Sequence, residues 1–360
     1  MPKKSIAVAM SGGVDSSIAA AILKQKGHQV CGIFMKIWKE KNHCGQEPVG
    51  KHACYGPGEQ EDIRDAEATA KKLDIPFYVF DLTDEYETEV LDYFRNEYKE
   101  GRTPNPCIIC NKKIKFGKLS KRAKESNVVF DYLATGHYVG HYYDKERNRY
   151  ILKRAVDKSK DQSYFLYGLS QKQLSCSLFP LGSLFKKDVR NKAHELGLRI
   201  YNRPESQDFF SGDYNSLIPE TRNSGPILNR KGIQLGKHSG IHNFTVGQRK
   251  GIGLSAAKPF YVIEIDRSRN ALIVGSEEEV YQSQLKASYV NWIAINELKS
   301  EMEALAKIRY HHPGTHCSLI PDERGEVIIE FKEPQRAVAP GQSVVFYIGE
   351  TVLGGGVIKN

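Results

Sequence analysis

The chain has 360 residues, 40% of them hydrophobic and 26% charged, with a formal net charge of +9 at pH 7. That length and apolar content suit two or three domains with their own cores, and they exclude a small disulfide scaffold. No apolar run approaches the roughly 18 residues needed to cross a bilayer, and MPKKSIAVAMSGGVDSS has no export-type apolar core, so the expectation is a cytoplasmic protein with no membrane partner. Seven cysteines, an odd number scattered through a chain of this size, point to metal binding or catalysis in a reducing compartment rather than to a disulfide framework.

Up to about residue 210, β-branched runs alternate with helical stretches. SIAVAM reads as a strand that passes through SGGVDSS (Ser11–Ser17) into a helix from Asp15, with Ile18 and Ile22 one turn apart. HQVCGIFMKI is a second strand. A Gly- and His-containing stretch with His43, Cys44 and Cys54 follows, then a helix over about Glu61–Leu73 and further strands in FYVFDL and VVFDYLATGHY. This alternation predicts a parallel sheet covered by helices. Between strand and helix, the glycines of SGGVDSS let the backbone approach an anion, and successive N–H groups at a helix start cradle phosphate oxygens. No GK[ST] ending follows, so transfer of a terminal phosphoryl group is not implied.

TPNPCIICNKK (Thr103–Lys113) places Cys107 and Cys110 two residues apart at the head of a basic run. From Arg102 to Lys124 there are eight Lys or Arg residues and no Asp or Glu. Such a block attracts a polyphosphate backbone, which makes nucleic acid a candidate partner; a solvated helix face is the plain alternative. The same cations lower the pKa of a neighbouring thiol. Phe116, Leu119 and Ala123 give the basic helix an inward face.

After about residue 212 short strands and Gly-rich turns take over, in HNFTVGQRKGIGLS, KPFYVIEID, NALIVGS, EVIIEFKE, QSVVFYIG and GGGVI. This predicts an all-β region of two small units with a seam near residues 280–285. The expected organisation is a catalytic α/β domain over 1–211, a small central β-rich domain over 212–282 and a C-terminal β-barrel over 283–360.

SGGVDSS resembles the pyrophosphate-loop signature of the N-type ATP pyrophosphatases, which split ATP into AMP and pyrophosphate while adenylating a substrate oxygen. TPNPCIICN, ATGHY (Ala134–Tyr138), KDQSYFLY (Lys160–Tyr167), FPLG (Phe179–Gly182), ESQDFF (Glu205–Phe210), FTVGQRKGIG (Phe244–Gly253) and IRYHH (Ile308–His312) occur in the order seen in bacterial tRNA-specific 2-thiouridylases. That resemblance covers essentially the whole chain. It implies ATP with Mg2+ as cofactor, tRNA and a sulfur-donor protein as partners, and adenylation of the C2 oxygen of the wobble uridine followed by displacement of AMP by sulfur. On matching positions, Ala9, Met10, Ser11, Gly12, Gly13, Val14, Asp15 and Ser16 form the nucleotide loop, with Met35 and Gly136 at the adenosine. Asn105, Pro106 and Cys107 lie by the target base. His137, Lys160, Asp161, Gln162, Arg309, Tyr310 and Gln342 contact tRNA. The catalytic set is Cys110, Cys107 and Asp15.

The common family pattern reads NPDxxCN and later SQDxCF, with the first cysteine as nucleophile and the second as persulfide carrier. This chain reads NPCIICN and SQDFFS. Cys110 matches the nucleophile, Cys107 replaces the acidic residue, and Phe210 stands where the second cysteine would be. Two sulfur chemistries stay open: a thiol or persulfide relay between Cys107 and Cys110, or a [4Fe–4S] cluster on Cys54, Cys107 and Cys110 with one iron free to carry sulfide. A zinc site with Cys44 or His43 as a further ligand is the third option. Two other functions compete with tRNA thiolation: a pyrophosphate-loop ligase or amidotransferase acting on a small metabolite, and a non-enzymatic RNA-binding metal or redox sensor. Cys31, Cys176 and Cys317 read as structural.

Overall fold

The computed structural model describes residues 3–39, 53–205, 208–218 and 223–359. His43 and Cys44 lie outside them. The chain divides into two compact units: the first comprises residues 1–90, 107–216 and 350–352, and the second residues 91–106, 217–349 and 353–360.

In the first unit, β1 (Ser5–Ala9), α1 (Val14–Gln25), β2 (Gln29–Lys36), β3 (Ala53–Tyr55), α2 (Glu59–Lys72), β4 (Phe77–Asp81), β5 (Tyr132–Thr135) and β8 (Ser177–Leu178) realise the expected alternation. A hairpin of β6 (Gly140–Asp144) and β7 (Arg149–Lys153), not anticipated from the sequence, turns through Asn148 at φ 51°. The main sheet is parallel throughout, with strand order β4-β2-β1-β5-β8. The chain leaves β1 towards β2 on one side and later returns to β5 on the other, so the order reverses at β1/β5. Crevices form at such a switch point, beyond the carboxyl ends of the strands. Ile6, Val8 and Ile18 are fully buried where α1 packs on the sheet, and the run Ala19, Ala20, Ala21 lets the helix approach closely. Each such aliphatic side chain contributes about 1.5–3 kcal/mol on burial.

A short β3 pairs in parallel with β9 (Asp208–Phe210), in the register Ala53↔Asp208 and Tyr55↔Phe210. Tyr55 stacks on Tyr86 at 5.2 Å between ring centroids and meets Phe210 at 5.9 Å. Phe210 is thus a core aromatic.

In the second unit, β10 (Gly225–Asn229), β11 (Gln234–His238), β12 (Tyr261–Asp266) and β13 (Ala271–Gly275) form a sheet of order β11-β10-β13-β12. β14 (Tyr281–Trp292), β15 (Met302–Lys307), β16 (Thr315–Pro321), β17 (Val327–Arg336), β18 (Ser343–Ile348) and β19 (Thr351–Ile358) follow the order β14-β17-β16-β15-β18-β19 and close through a β14–β19 pairing into a barrel. β14 opens at Tyr281. HNFTVGQRKGIGLS, expected among the short strands and Gly-rich turns, contains turns but no strand: Gly247, Gly251 and Gly253 have φ of 86°, 79° and 78°, a left-handed conformation that bends the segment.

Candidate active site

At the β1/β5 switch point the loop Met10–Gly13 leads into α1 and walls a cavity of about 250 Å3. Ser16 bonds the loop to itself: its Oγ accepts from the Ser11 N–H at 3.1 Å and donates to the Gly13 carbonyl at 3.2 Å. Gly12 sits at φ 74°, and a Cβ there would lie 2.5 Å from the Asp62 carbonyl oxygen. Gly136, on the loop after β5, is tighter in another way, because its Cβ would fall 2.6 Å from the Ser16 nitrogen. Both glycines are therefore required by close backbone approach. Ala9, Met10, Ser11, Gly13, Val14, Asp15, Ser16, Met35 and Gly136 all line this cavity, as the expected nucleotide site does. A nucleotide phosphate fits the loop by the positive end of the dipole of the 12-residue helix behind it.

Asp15 faces a cation that sequence reasoning missed. Lys186, 8% exposed, places Nζ 2.7 and 2.8 Å from the Asp15 carboxylate oxygens and 3.0 Å from Glu205 Oε1. Tyr138 Oη donates to Asp15 at 2.8 Å, and burial together with the Asp15 charge pushes that phenol far up. Burial raises Glu205, but Lys160 at 2.7 Å and Lys186 outweigh it and hold its carboxyl below the usual range. Arg203, which also lines the cavity, donates to the Gly12 carbonyl at 3.3 Å and pairs with Asp62 and Asp65, bracing the loop. Tyr138 and Glu205 lie inside ATGHY and ESQDFF; Lys186 has only its place soon after FPLG as a signal.

One thiol lines the cavity, and two more lie within its electrostatic reach. Cys54, a strand residue of β3 rather than a loop residue, is exposed and lines the cavity with Lys115 and His137. Cys107 is half-buried and Cys110 is buried. Burial pushes Cys110 up to about 11 against the opposing field of Lys115, and burial with the charges of Cys54 and Cys110 pushes Cys107 up to about 12. Burial disfavours the Lys115 ammonium, but the negative charge of Cys110, Cys54 and Cys107 outweighs it and raises its pKa. Cys54 is near enough to Cys107 and Cys110 for its charge to act on both. Burial and the Lys115 charge hold His137 well below its ordinary pKa, so it is neutral, with Nδ1 2.8 Å from Thr135 Oγ1.

The basic run is not one solvated face. Lys115 turns into the cavity, Lys113 pairs with Glu89 at 2.5 Å, and Arg122 pairs with Glu85. Acidic residues from the segment before it supply the countercharge that the run itself lacks.

The remaining expected residues divide between the units. In the first, Gln162 lines the cavity and accepts from the Tyr138 N–H at 3.0 Å. Asp161, 7% exposed, accepts from the Ala155 N–H at 3.0 Å and the Ser163 hydroxyl at 2.9 Å, which brackets the Lys160–Gln162 turn. In the second, Gln342 Nε2 donates to the carbonyls of Thr103 and Pro104 at 3.2 and 3.1 Å, fixing the segment that carries the buried Asn105 and Pro106. Arg309 donates to the Arg336 carbonyl at 3.2 Å, and Lys307 lies 5.8 Å from the Tyr310 ring centroid.

Residues 4–210 match the family model of the tRNA methyl transferase HUP domain, 216–276 that of its PRC-barrel domain, and 282–358 that of the aminomethyltransferase beta-barrel domain. The chain is 47% identical over 355 residues to the tRNA-specific 2-thiouridylase MnmA of Endomicrobium trichonymphae, covering 98% of each chain. It is 46% identical to that of Halothermothrix orenii, again over 98% of each, and 44% identical to that of Acetivibrio thermocellus over the full length of both. With a pyrophosphate loop at the switch point, thiols beside it and this likeness from end to end, the chain belongs to the tRNA-specific 2-thiouridylase family.

Proposed function

We propose that the protein is an ATP-dependent tRNA sulfurtransferase that replaces the C2 oxygen of the wobble uridine with sulfur, releasing AMP and pyrophosphate. The observation that carries this reading is that a phosphate-cradling loop and a thiol, Cys54, line one cavity, with Cys107 and Cys110 in the electrostatic field of Cys54 and of the cavity residue Lys115. A small-metabolite ligase needs the first but has no use for the second.

ATP enters as its Mg2+ complex, with the N–H groups from Gly12 to Ser16 on the phosphates. Lys186, already paired with Asp15 and Glu205, is positioned to meet the charge that develops as pyrophosphate leaves. Adenylation converts the poor C2 oxygen leaving group into AMP, and a sulfur nucleophile from Cys110 displaces it. Asn105 and Pro106 are assigned to the target base, and His137, Lys160, Asp161, Gln162, Arg309, Tyr310 and Gln342 to the rest of the tRNA. A sulfur-donor protein supplies the sulfur.

Cys54, Cys107 and Cys110 share one electrostatic field. Among the described residues, however, no three His, Cys, Asp or Glu side chains are grouped so as to hold a metal ion. As placed, the thiols do not fit a cluster, and the sulfur chemistry is assigned to the thiols themselves. No described helix is long and apolar enough to cross a membrane.

Mass spectrometry of tRNA nucleosides from a strain lacking the gene tests the proposal. Loss of 2-thiouridine derivatives, restored by the wild-type gene and not by Cys110→Ala, is expected; an unchanged nucleoside profile overturns it.

A further inference from the structure

We propose that Cys54 is the thiol that receives sulfur from the donor protein and hands it to Cys110. The inference rests on the sulfurtransferase reading above and assigns a role to the exposed thiol of the group.

Three observations carry it. Accessibility comes first: a donor protein can reach only a thiol at the surface, and Cys54 is exposed, while Cys107 is half-buried and Cys110 is 7% exposed. The second is direction. Cys54 lines the same cavity as the loop residue Ser16, Lys115 and His137, so a sulfur carried on it faces the nucleotide site. The third is register. The pairing Ala53↔Asp208 and Tyr55↔Phe210 puts Cys54 across from Phe209, on the strand beside the one where the common pattern has its second cysteine and with its side chain on the face opposite that of position 210. Here Phe210 fills that position, 4% exposed and packed against Tyr55 and Tyr214. The core has taken up position 210, and the neighbouring strand presents a thiol on its other face.

The steps balance without an added oxidant. The Cys54 thiolate attacks the outer sulfur of a persulfide on the donor protein; a Cys54 S–S bond forms, the donor S–S bond breaks, and the donor leaves as a thiolate. The Cys110 thiolate then attacks the outer sulfur on Cys54, becoming the persulfide and restoring the Cys54 thiol. The Cys110 persulfide attacks C2 of the adenylated uridine, the C–O bond breaks and AMP departs. Finally the Cys107 thiolate attacks Cys110 Sγ, the S–S electron pair stays on the uridine sulfur, and 2-thiouridine is released with a Cys107–Cys110 disulfide. An external dithiol reduces that disulfide by two electrons before the next turnover.

Cys54→Ser is assayed in the full-length protein with tRNA and ATP under two sulfur supplies: a cysteine desulfurase with cysteine, and sodium sulfide, which attacks the adenylate without a carrier. Desulfurase-driven thiolation is expected to fall by at least about tenfold while sulfide-driven thiolation stays near wild type. The peptide carrying Cys54 should gain the mass of one sulfur in Cys110→Ser, where onward transfer is blocked. Exposed Cys176, which does not line the cavity, is the control, and Cys176→Ser should behave as wild type under both supplies. Desulfurase-driven thiolation by Cys54→Ser within twofold of wild type overturns the proposal. So does loss of both activities, and loss accompanied by loss of bound iron would point to a cluster instead. If wild-type protein forms no 2-thiouridine under either supply, the sulfurtransferase reading itself has failed.

Discussion

Replacing Gly136 by alanine tests whether the cavity depends on the contact between the loop after β5 and the start of α1. An added Cβ would lie 2.6 Å from the Ser16 nitrogen, 2.7 Å from the Asp15 carbonyl carbon and 3.0 Å from the Asp15 Cβ. Two of the three are backbone atoms, which cannot rotate away, so α1 or the β5 loop must retreat by roughly an ångström to restore ordinary contact. Overpacking of this kind costs about 1–3 kcal/mol, and each kcal/mol lowers the melting temperature of a unit this size by roughly 2–4 °C. The functional loss should be larger, because a displacement of about 1 Å at a reacting centre lowers rates about 100-fold. AMP formation with tRNA present, measured beside a thermal melt, separates the two effects. Gly58→Ala is the matched control, since Gly58 has a helical φ of −73° and a Cβ added there would meet nothing within 4 Å. AMP formation by Gly136→Ala at the rate of Gly58→Ala, with the same melting temperature, would refute the argument that this contact holds the loop.

Lys186→Met leaves the Asp15 and Glu205 carboxylates without the cation between them; AMP formation should fall at least about 100-fold and recover in part in Lys186→Arg, as read by nucleotide chromatography. The raised thiol pKa values predict that at pH 7 iodoacetamide modifies exposed Cys54 and Cys176 first. Cys110, pushed up to about 11, and Cys107, up to about 12, stay mostly protonated there, so their alkylation should rise about tenfold per pH unit until pH approaches those values; a plateau for Cys110 below pH 8 in peptide mapping contradicts this. Lys115→Met should leave the salt dependence of tRNA binding unchanged, because its ammonium faces the cavity, and should slow thiolation; a slope reduced by about one unit would instead make it a phosphate contact.

Much of the site was legible because its chemistry depends on backbone geometry. SGGVDSS between a strand and a helix can do little except approach an anion, and the structure puts it at the switch point where such loops belong. The strand order and the closed barrel were legible only as classes, because alternation fixes element types and not their neighbours. Lys186 was invisible for a different reason: its meaning is a contact with Asp15 across 171 residues, and no local pattern records that. Phe210 read as a gap in the catalytic motif, yet the structure shows it as a packing residue against Tyr55 on the paired strand β3.

The displacement of Lys115 from the solvated face has its own cause. An α-helix rotates about 100° per residue, so residues five apart lie about 140° from each other on different faces. By that count Cys110 and Lys115 cannot meet, and the run reads as cations pointing outward. The helix over Cys110–Leu119 instead has wider π-type turns, in which residue i bonds to i+5 and the two stack one above the other. Cys110 and Lys115 are five apart. The wider turn therefore swings one lysine of the run inward over the buried thiol while Ile114, Phe116 and Leu119 remain in the core. A π-turn is a costly local conformation, and its effect at this site is specific: it supplies a cation to a thiol whose burial otherwise opposes ionisation. One stretch of sequence thus holds the core, pairs with the acidic segment before it and places a cation beside the candidate nucleophile.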